Sequence, residues 1–279
     1  MPQSSSFKRT ILITGSTDGI GKQTATDLAA HPDNRVIIHG RSEEKCEATR
    51  DHIVKETGNP TNVDYIACDL SIMKEVAHFA DQVKSRFPDL NVLLCNAGVL
   101  NPRRAETKDG LEMTFQVNHL SHFVISRQLR PLLAQNAPSR IIFVSSICHD
   151  WYPLDFADLQ ATKYGDAYLQ YSRSKLMNHM TALKMARDKA DGVTVNVLEP
   201  GVIETKLLKR GGYSGGPVKD GSVAPVHLAT SDELKDISGE YFNNRGKKIA
   251  SSADSMNKDQ QDRLWKMCEE ICAKFGITF

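Results

Sequence analysis

The sequence predicts an α/β fold, a doubly wound parallel sheet of about seven strands with helices on both faces. Short apolar, β-branched runs alternate along the 279 residues with longer segments of helical period, which is the pattern of repeated βαβ units. The runs carry few polar residues, as expected for strands that helices cover on both sides. No internal repeat or long linker interrupts this alternation, so we expect a single domain over residues 1–279.

Each strand and helix is assigned from the same two patterns. Strands are expected at Thr10–Thr14, Arg35–His39, Val63–Ala67, Val92–Asn96, Arg140–Ser145 and Thr194–Leu198, with a weaker seventh at Glu240–Phe242. Helices are expected near residues 19–31, 43–57, 72–86, 109–135, 165–190, 219–231 and 259–275. Ser42 before two glutamates favours a helix start there, and Gly58 favours a helix end.

Composition and charge exclude several classes of protein. Lysine and arginine number 35 against 34 acidic residues, so the net charge of +1 gives no field for binding nucleic acid. The first residues lack the apolar core of a signal peptide, and no window approaches the roughly eighteen apolar residues of a membrane span. The six cysteines are scattered, which favours buried thiols over disulfides or zinc ligands. We therefore expect a cytoplasmic protein with no transmembrane segment and no metal.

A glycine-rich loop, residues 14–22, follows the first predicted strand. Gly15, Gly19 and Gly21 stand in the spacing Gly-x3-Gly-x-Gly. A strand, a tight glycine turn and a helix bring backbone N–H groups and a helix N-terminus against a pyrophosphate, which predicts dinucleotide binding. The alternative is a turn that uses glycine for its backbone angles and binds no ligand.

The end of the second predicted strand indicates which dinucleotide would bind. Gly40 stands where an NAD-selective domain puts its carboxylate, and Arg41 and Ser42 follow. A guanidinium suits a 2′-phosphate, and no acidic side chain is present to repel one. We therefore expect NADP(H) rather than NAD, with a solvent-exposed Arg41 that binds nothing as the alternative.

Two further patterns indicate proton transfer. Tyr171 is the only one of the seven tyrosines with lysine four positions later, at Lys175 on the same helix face. A nearby cation lowers the pKa of a phenol, which then exchanges a proton with a carbinol oxygen at neutral pH. Ser145 and Ser146 end a predicted strand at the edge where open α/β sheets bind ligands. On spacing alone, a surface Tyr–Lys pair and a serine that caps the loop remain open.

These motifs occur together in one order, and in that order the chain resembles the short-chain dehydrogenase/reductases. The matching positions are Gly15/Gly19/Gly21, Asn96-Ala97-Gly98, Asn118, Ser146, Tyr171/Lys175 and Pro200-Gly201. Residues 117–123, 155–159 and 238–242 resemble the retinol-dehydrogenase-like branch. The resemblance covers about residues 9–275 and implies a Rossmann fold, with a cofactor half at about 8–145 and a catalytic half at about 146–279.

The resemblance also implies roles for the matching residues. Tyr171 is the implied general acid/base, Lys175 lowers its pKa and holds the nicotinamide ribose, and Ser146 orients the carbonyl oxygen. Asn118 is implied to hold a water that relays protons from Lys175. The implied cofactor contacts are Gly15, Ser16, Thr17, Asp18, Gly19, Ile20, Gly21, Arg41, Ser42, Asp69, Leu70, Asn96, Ala97, Gly98, Tyr171, Lys175, Pro200, Gly201, Ile203 and Thr205.

The sequence thus predicts an NADP(H)-dependent oxidoreductase that interconverts a ketone or aldehyde with its alcohol. The resemblance implies a mainly apolar carbonyl substrate, such as a retinoid, steroid, lipid aldehyde or xenobiotic, and it allows a homodimer. Two alternatives are a non-catalytic protein that senses NADP(H) and an epimerase or dehydratase on the same fold. Both Tyr171 and Lys175 are present, which disfavours the non-catalytic alternative.

Several features are local to this chain. Glu199 stands where the branch often has histidine, and Trp151-Tyr152 form either a substrate wall or ordinary packing. His119 and His122 lie three apart on a helix, and we do not expect them to bind metal. The four glycines around Tyr213 predict that residues 206–217 form a mobile lid over the substrate.

Overall fold

The centre of the protein is an eight-stranded sheet, seen in a computed structural model that describes residues 7–163, 166–187 and 191–279. The strands are β1 Arg9–Ile13, β2 Asn34–Gly40, β3 Val63–Ala67, β4 Val92–Cys95, β5 Ser139–Val144, β6 Val193–Leu198, β7 Tyr241–Phe242 and β8 Lys248–Ile249. Their order is β3-β2-β1-β4-β5-β6-β7-β8, with every neighbouring pair parallel except β7 and β8. The predicted α/β class is confirmed, and the predicted count of about seven strands is wrong because the two-residue β8 is too short to show a periodic pattern.

Helices flank the sheet in the alternation expected. They are α1 Gly19–Ala29, α2 Glu43–Thr57, α3 Met73–Arg86, α4 Ser121–Gln135, α5 Ala167–Met185, α6 Lys206–Arg210, α7 Val218–Thr230, α8 Ala253–Met256 and α9 Lys258–Ala273. A π-helical segment, Phe115–Leu120, runs into α4, and short 3₁₀ turns lie at Ile147–Asp150 and Asp232–Leu234. The predicted bounds of α2 are confirmed: Ser42 accepts a hydrogen bond from Lys45 N–H, and Gly58 adopts φ +70° at the other end.

Two predicted helices differ from those observed. The helix expected over 109–135 begins only after Glu112, whose buried carboxylate accepts hydrogen bonds from the N–H groups of Thr114 and Phe115 at 3.0 and 2.6 Å. The Glu112 carboxylate acts as an N-cap. Its hydrogen bonds, and not the hydrophobic periodicity of the sequence, set the residue at which the helix starts. The helix expected over 165–190 is observed as α5, and both of its predicted end points lie outside the described residues.

Separate hydrophobic cores cover the two faces of the sheet, which makes it doubly wound. On one face α3, α4, α5 and α9 bury side chains such as Phe79 and Leu264. On the other, α1, α2 and α7 bury Leu28, Ile53 and Leu228. Each fully buried aliphatic or aromatic side chain stabilises the fold by roughly 1.5–3 kcal/mol.

The strand order brings the candidate functional residues to one edge. The chain moves outward from β1 to β3 and then returns to place β4 on the other side of β1. Ligands of such sheets bind in the crevice at the carboxyl ends of the strands where the order reverses. Among the described residues no helix is both long and apolar enough to cross a bilayer. The six cysteines are free and buried, as expected.

Candidate active site

The glycine-rich loop is packed too closely for side chains at two of its glycines. A Cβ on Gly15, whose φ is +65°, would lie 2.7 Å from the Cα of Ala97. A Cβ on Gly21 would collide with the Gly15 carbonyl oxygen and lie 2.5 Å from Asn96 Nδ2. That Asn96 amide donates to the carbonyls of Thr14 and Gly15 at 2.8 and 3.2 Å. The loop therefore presents bare backbone at the start of α1, where the first N–H groups have no partner within the helix.

Buried His39 ties this loop to β2 and β3. Its Nδ1 accepts from Gly15 N–H at 3.0 Å, and its Nε2 lies 3.1 Å from the Cys68 carbonyl. Ser16 closes the link: its hydroxyl accepts from His39 N–H at 2.9 Å and donates to the Ile13 carbonyl at 2.8 Å. Burial lowers the pKa of His39 to about 4, so the ring is neutral and its proton lies on Nε2. Sequence analysis missed His39; its place near the end of β2 was the available signal.

Thr14 and His122 connect the same loop to the π-helical segment. The Thr14 hydroxyl accepts from the N–H groups of Asn96 and Ala97 at 2.9 and 3.0 Å, and lies 2.8 Å from His122 Nε2. His122 Nδ1 lies 2.9 Å from the Asn118 carbonyl, to which it donates. Burial lowers the pKa of His122 to about 3, so the histidine is a neutral link. Sequence analysis weighed His122 only as a metal ligand.

Asn118 lies within the π-helical segment, a geometry frequent at functional sites. Its side chain accepts from Val99 N–H at 2.7 Å and donates to the Val99 carbonyl at 2.9 Å and to the Ser174 hydroxyl at 3.0 Å. A Cβ placed on Gly98 would lie 3.6 Å from both Asn118 Oδ1 and Lys175 Nζ. These two polar atoms therefore border the same space above Gly98.

α5 places Tyr171 and Lys175 together at the carboxyl edge of the sheet, and both side chains are buried. Lys175 Nζ lies 5.7 Å from the centre of the Tyr171 ring and donates to the Val144 carbonyl at 2.9 Å. Tyr171 is 8% exposed and Lys175 is 3% exposed. The alternative of a surface pair is therefore wrong.

The pKa directions differ from the sequence expectation. Burial raises the pKa of the Tyr171 phenol, the Cys148 thiol adds to that rise, and the Ser146 hydroxyl opposes it. Burial lowers the pKa of Lys175 to about 8. The expectation that Lys175 lowers the pKa of Tyr171 is wrong for the described contacts, because desolvation dominates and the ammonium is directed at the Val144 carbonyl.

Ser145 and Ser146, which follow β5, make different hydrogen bonds. Ser145 is buried and donates to the Lys175 carbonyl at 3.0 Å, which fastens α5 to the sheet. Ser146 is half-buried, accepts from Cys148 N–H at 3.2 Å and interacts with the Tyr171 phenol. Ser146 is therefore the serine beside Tyr171, and its hydroxyl also caps the loop.

At the end of β2, Arg41 is exposed and has no hydrogen bond or ion pair with the part of the chain that the structure describes. A Cβ on Gly40 would lie 2.5 Å from Thr17 Cγ2 and 3.1 Å from Cys46 Sγ. A carboxylate at position 40 would therefore require Thr17 to move. The Ser42 hydroxyl is engaged in capping α2.

Asp69 and Leu70 follow β3 at the same edge. The Asp69 carboxylate accepts from the N–H and hydroxyl of Ser71 at 2.9 and 2.7 Å, while its own N–H donates to Glu75 at 2.9 Å. Leu70 is buried in the core beneath it. The turn after β3 is therefore fixed independently of any ligand.

Glu199 organises the turn after β6. Its carboxylate accepts from Gly201 N–H at 2.7 Å and from Asn244 N–H at 2.8 Å, and burial raises its pKa. Gly201 adopts φ +88°, and a Cβ there would lie 3.0 Å from Asn244 Nδ2. The glutamate before Pro200 thus joins this turn to the end of β7.

Past that turn, the chain returns over the glycine-rich loop. A Cβ on Gly221 would lie 2.8 Å from Ile20 Cγ1 and 3.0 Å from Ile203 Cγ1, so both isoleucines pack against α7. Thr205 caps α6, and its Cγ2 would lie 3.2 Å from a Cβ on Gly19. Thr205 therefore packs closely against Gly19 of the glycine-rich loop.

The first part of the 206–217 segment, helix α6, is held by surface contacts. α6 buries no residue, and Lys206 forms a 2.6 Å ion pair with Asp18, the N-cap of α1. A Cβ on Gly211 would collide with the Tyr168 hydroxyl, and only Gly212 of the four glycines adopts a positive φ, of +81°. Gly211 is therefore required by close packing, which the interpretation as a flexible loop did not foresee.

Trp151 and Tyr152, which are adjacent in the sequence, contact different parts of the protein. The Trp151 ring is 49% exposed and lies 5.7 Å from the Tyr168 ring, which in turn is 6.2 Å from Tyr171. Tyr152 instead donates to the Asp166 carboxylate at 2.7 Å, at the start of α5. Trp151 faces the candidate site and Tyr152 does not.

His119 is buried, and both of its ring nitrogens contact other side chains. Its Nδ1 lies 3.1 Å from Asn178 Oδ1 and its Nε2 lies 3.3 Å from Cys268 Sγ on α9. Within the described ranges, no group of three or more histidine, cysteine or acidic side chains is arranged to hold a metal ion.

Comparison with known proteins agrees with this geometry. The short chain dehydrogenase family model matches residues 9–212. Human retinol dehydrogenase 13 is 36% identical over 276 residues, covering 92% of this chain and 82% of the relative. Bovine retinol dehydrogenase 12 is 33% identical, covering 98% and 88%. A Shigella flexneri protein solved in complex with NADP shares the fold, with TM-score 0.70 and 23% identity over 86% of this chain and 98% of that one.

The family match extends over most of the chain and includes the glycine-rich loop, Ser146, Tyr171 and Lys175. The chain therefore belongs to the short-chain dehydrogenase family, in its retinol-dehydrogenase-like branch, and is an oxidoreductase acting on CH–OH groups.

Proposed function

We propose that the protein is an NADP(H)-dependent oxidoreductase that interconverts an apolar ketone or aldehyde with its alcohol. The observation that carries the proposal is the grouping of buried Tyr171 and Lys175 with half-buried Ser146 at the carboxyl edge of the sheet, next to the glycine-rich loop. In this proposal the chain is one domain, and its halves at about 8–145 and 146–279 meet at that edge.

The residues present fit a nicotinamide dinucleotide. Gly15 and Gly21 leave the backbone bare at the start of α1, where N–H groups and the helix dipole favour a pyrophosphate. Above Gly98, the space bordered by Lys175 Nζ and Asn118 Oδ1 offers an ammonium donor and an amide acceptor to ribose hydroxyls. Such a cofactor, when bound, supplies or accepts the hydride.

The protein's own residues would handle the proton. The Tyr171 phenol is protonated at neutral pH, since its pKa is not lowered by the described contacts, and in this proposal it donates that proton to the substrate oxygen during reduction. Ser146, beside that phenol, orients the same oxygen by a second hydrogen bond. Lys175 is a buried lysine 5.7 Å from the Tyr171 ring, and with a pKa of about 8 it would hold the ribose and pass protons toward solvent through a water at Asn118.

The preference for NADP(H) rests on charge at the end of β2. Arg41 is exposed and unengaged among the described residues, so its guanidinium is available to a 2′-phosphate. The packing of Thr17 against Gly40 disfavours an acidic side chain there, which is the usual mark of NAD selectivity. NADP was bound to the structural relative from Shigella flexneri.

An apolar substrate is supported by the rim of the site. Four large hydrophobic side chains on the loops after β5 and β6 are 43–55% exposed, and they are Ile147, Trp151, Val202 and Tyr213. Clustered exposed apolar side chains mark binding surfaces in soluble proteins. Two relatives that are 36% and 33% identical to this chain are named retinol dehydrogenases, which fits a substrate of this class.

A substrate panel tests the proposal. Purified protein is assayed for NADPH oxidation with retinoid, steroid, lipid and aromatic aldehydes and ketones. We expect turnover with at least one apolar carbonyl and faster turnover with NADPH than with NADH. Tight NADPH binding without turnover of any member would instead support the non-catalytic sensor. Conversion of a compound, seen by product analysis, without net oxidation of NADPH would support an epimerase or dehydratase.

A further inference from the structure

A histidine outside the proposed catalytic group closes the turn that carries Ser146. His149 lies in the 3₁₀ turn Ile147–Asp150 and is 5% exposed. Its backbone N–H donates to the Ser146 carbonyl at 3.1 Å, and its ring Nδ1 lies 2.9 Å from the same oxygen. One residue thus holds the Ser146 carbonyl twice, while the Ser146 hydroxyl accepts from Cys148 N–H of the same turn.

A second buried histidine supports the first. His179 lies on α5, four residues after Lys175 and therefore on the same helix face. The rings of His149 and His179 are 4.7 Å apart, and the Tyr241 ring of β7 packs against both. His179 Nε2 lies 3.0 Å from the Ser251 hydroxyl. The pair therefore connects the Ser146 turn to the helix that carries Lys175.

The hydrogen-bonding capacity of the pair is complementary. His149 Nε2 and His179 Nδ1 are buried with no partner among the described residues. Burial lowers the pKa of both rings, so each neutral ring carries one proton. Because His149 Nδ1 donates to a carbonyl, its Nε2 is an acceptor, and when Ser251 donates to His179 Nε2, the proton of His179 lies on Nδ1. One unpaired donor and one unpaired acceptor thus lie on adjacent rings, and a single water bridging them would satisfy both.

We propose that His149 is a positioning residue for Ser146, backed by His179 so that Ser146 and Lys175 are held by one buried unit. The inference rests on the proposed function, in which Ser146 orients the substrate oxygen. His149 itself touches neither substrate nor cofactor. Its effect is to keep the Ser146 turn in the one conformation that directs the hydroxyl toward Tyr171.

The first test compares two substitutions of His149. His149→Leu removes the donor to the Ser146 carbonyl, whereas His149→Asn places an amide N–H near the position of Nδ1. With an accepted carbonyl substrate, His149→Leu should lower kcat about tenfold or more and leave the KM for NADPH unchanged. His149→Asn should recover most of that loss. Should the leucine variant fail to fold, His149→Gln, whose amide reaches the position of Nε2 rather than Nδ1, takes its place with the same expected loss of kcat.

A double-mutant cycle with Ser146→Ala separates positioning from general structural damage. If His149 acts through Ser146, adding His149→Leu to Ser146→Ala should change kcat by less than about twofold. Two outcomes would overturn only the positioning role of His149. In one, the kcat losses of His149→Leu and Ser146→Ala multiply in the double variant. In the other, His149→Leu has a normal kcat although Ser146→Ala is slow. A Ser146→Ala variant with normal kcat would overturn the proposed role of Ser146 itself.

Discussion

The glycine-rich loop and the 206–217 segment both border the candidate site, but they are held in opposite ways. The loop is fixed by buried neutral histidines, by the Asn96 amide and by backbone packing that leaves no room for a methyl group at Gly15 or Gly21. The 206–217 segment buries nothing from α6, and its ion pair to the loop joins side chains that are 82% and 58% exposed, those of Lys206 and Asp18. The difference predicts that the glycine-rich loop is rigid and that the 206–217 segment changes conformation more easily.

The largest expected effect on cofactor binding comes from adding one methyl group to the glycine-rich loop, with the same addition to the 206–217 segment as its comparison. Gly21→Ala should weaken NADPH binding about 100-fold, because the new Cβ meets the Gly15 carbonyl and Asn96 Nδ2, and overpacking of this kind costs roughly 1–3 kcal/mol or more. Gly216→Ala is the matched control, since the nearest atoms to its Cβ lie 3.8 Å away. Titration of NADPH into both variants measures the contrast. Similar affinities would contradict the description of the loop as rigid.

The next effect concerns cofactor choice. Arg41→Ala should weaken NADPH binding about tenfold and leave NADH binding unchanged, because a hydrogen bond to a charged group contributes roughly 1.5–3 kcal/mol. Lys55→Ala, at the far end of α2, removes the same charge about 20 Å away and should change neither affinity. A wild-type protein with equal affinity for both cofactors would refute the assignment.

Replacing Lys175 should change the stability of the protein as well as its activity. Its pKa is lowered from 10.5 to about 8 by burial, which corresponds to a cost of roughly 3 kcal/mol while the lysine is charged. Lys175→Met removes that cost and also the hydrogen bond to Val144, worth roughly 1 kcal/mol, so the variant should be inactive yet about 2 kcal/mol more stable at pH 7. Denaturant unfolding measures the gain, with the exposed Lys55→Met as control.

The pH dependence of that gain has a definite sign. Below pH 8 Lys175 is charged in both the folded and the unfolded chain, so the full cost is present. As the pH rises from about 8 to 10.5, the folded protein loses the proton first, and the advantage of Lys175→Met declines. A gain that grows over this range would show that burial of the ammonium is not its cause.

The smallest effect is expected at the 206–217 segment. Lys206→Ala removes an exposed ion pair worth less than about 1 kcal/mol, so kcat and substrate KM should change less than about fivefold. Amide hydrogen exchange should be fast over residues 206–214 and should slow when NADPH and substrate are added together. Slow exchange that ligands leave unchanged would contradict the lid.

The sequence predicts the parts of the site that depend on local pattern, and the structure adds the parts that depend on burial. The glycine spacing, the strand ends and the Tyr171–Lys175 face of α5 could all be predicted, because periodicity and turn residues are local properties. The pKa direction of Tyr171 could not, because it depends on how deeply α5 is buried and on where Lys175 Nζ finds its acceptor. The contacts of His39, His122 and His149 could not be predicted from the sequence for the same reason, because they depend on burial and on which tautomer the neighbouring groups select.

The most direct test of the proposed mechanism is the turnover of Tyr171→Phe with an accepted carbonyl substrate. The substitution removes the phenol oxygen and keeps the ring that packs beside Tyr168. We expect NADPH affinity to remain within about twofold of wild type and kcat to fall about 10²- to 10⁴-fold, the contribution typical of general acid catalysis. A Tyr171→Phe enzyme that binds NADPH normally and retains near-normal kcat would contradict the assignment of Tyr171 as the proton donor.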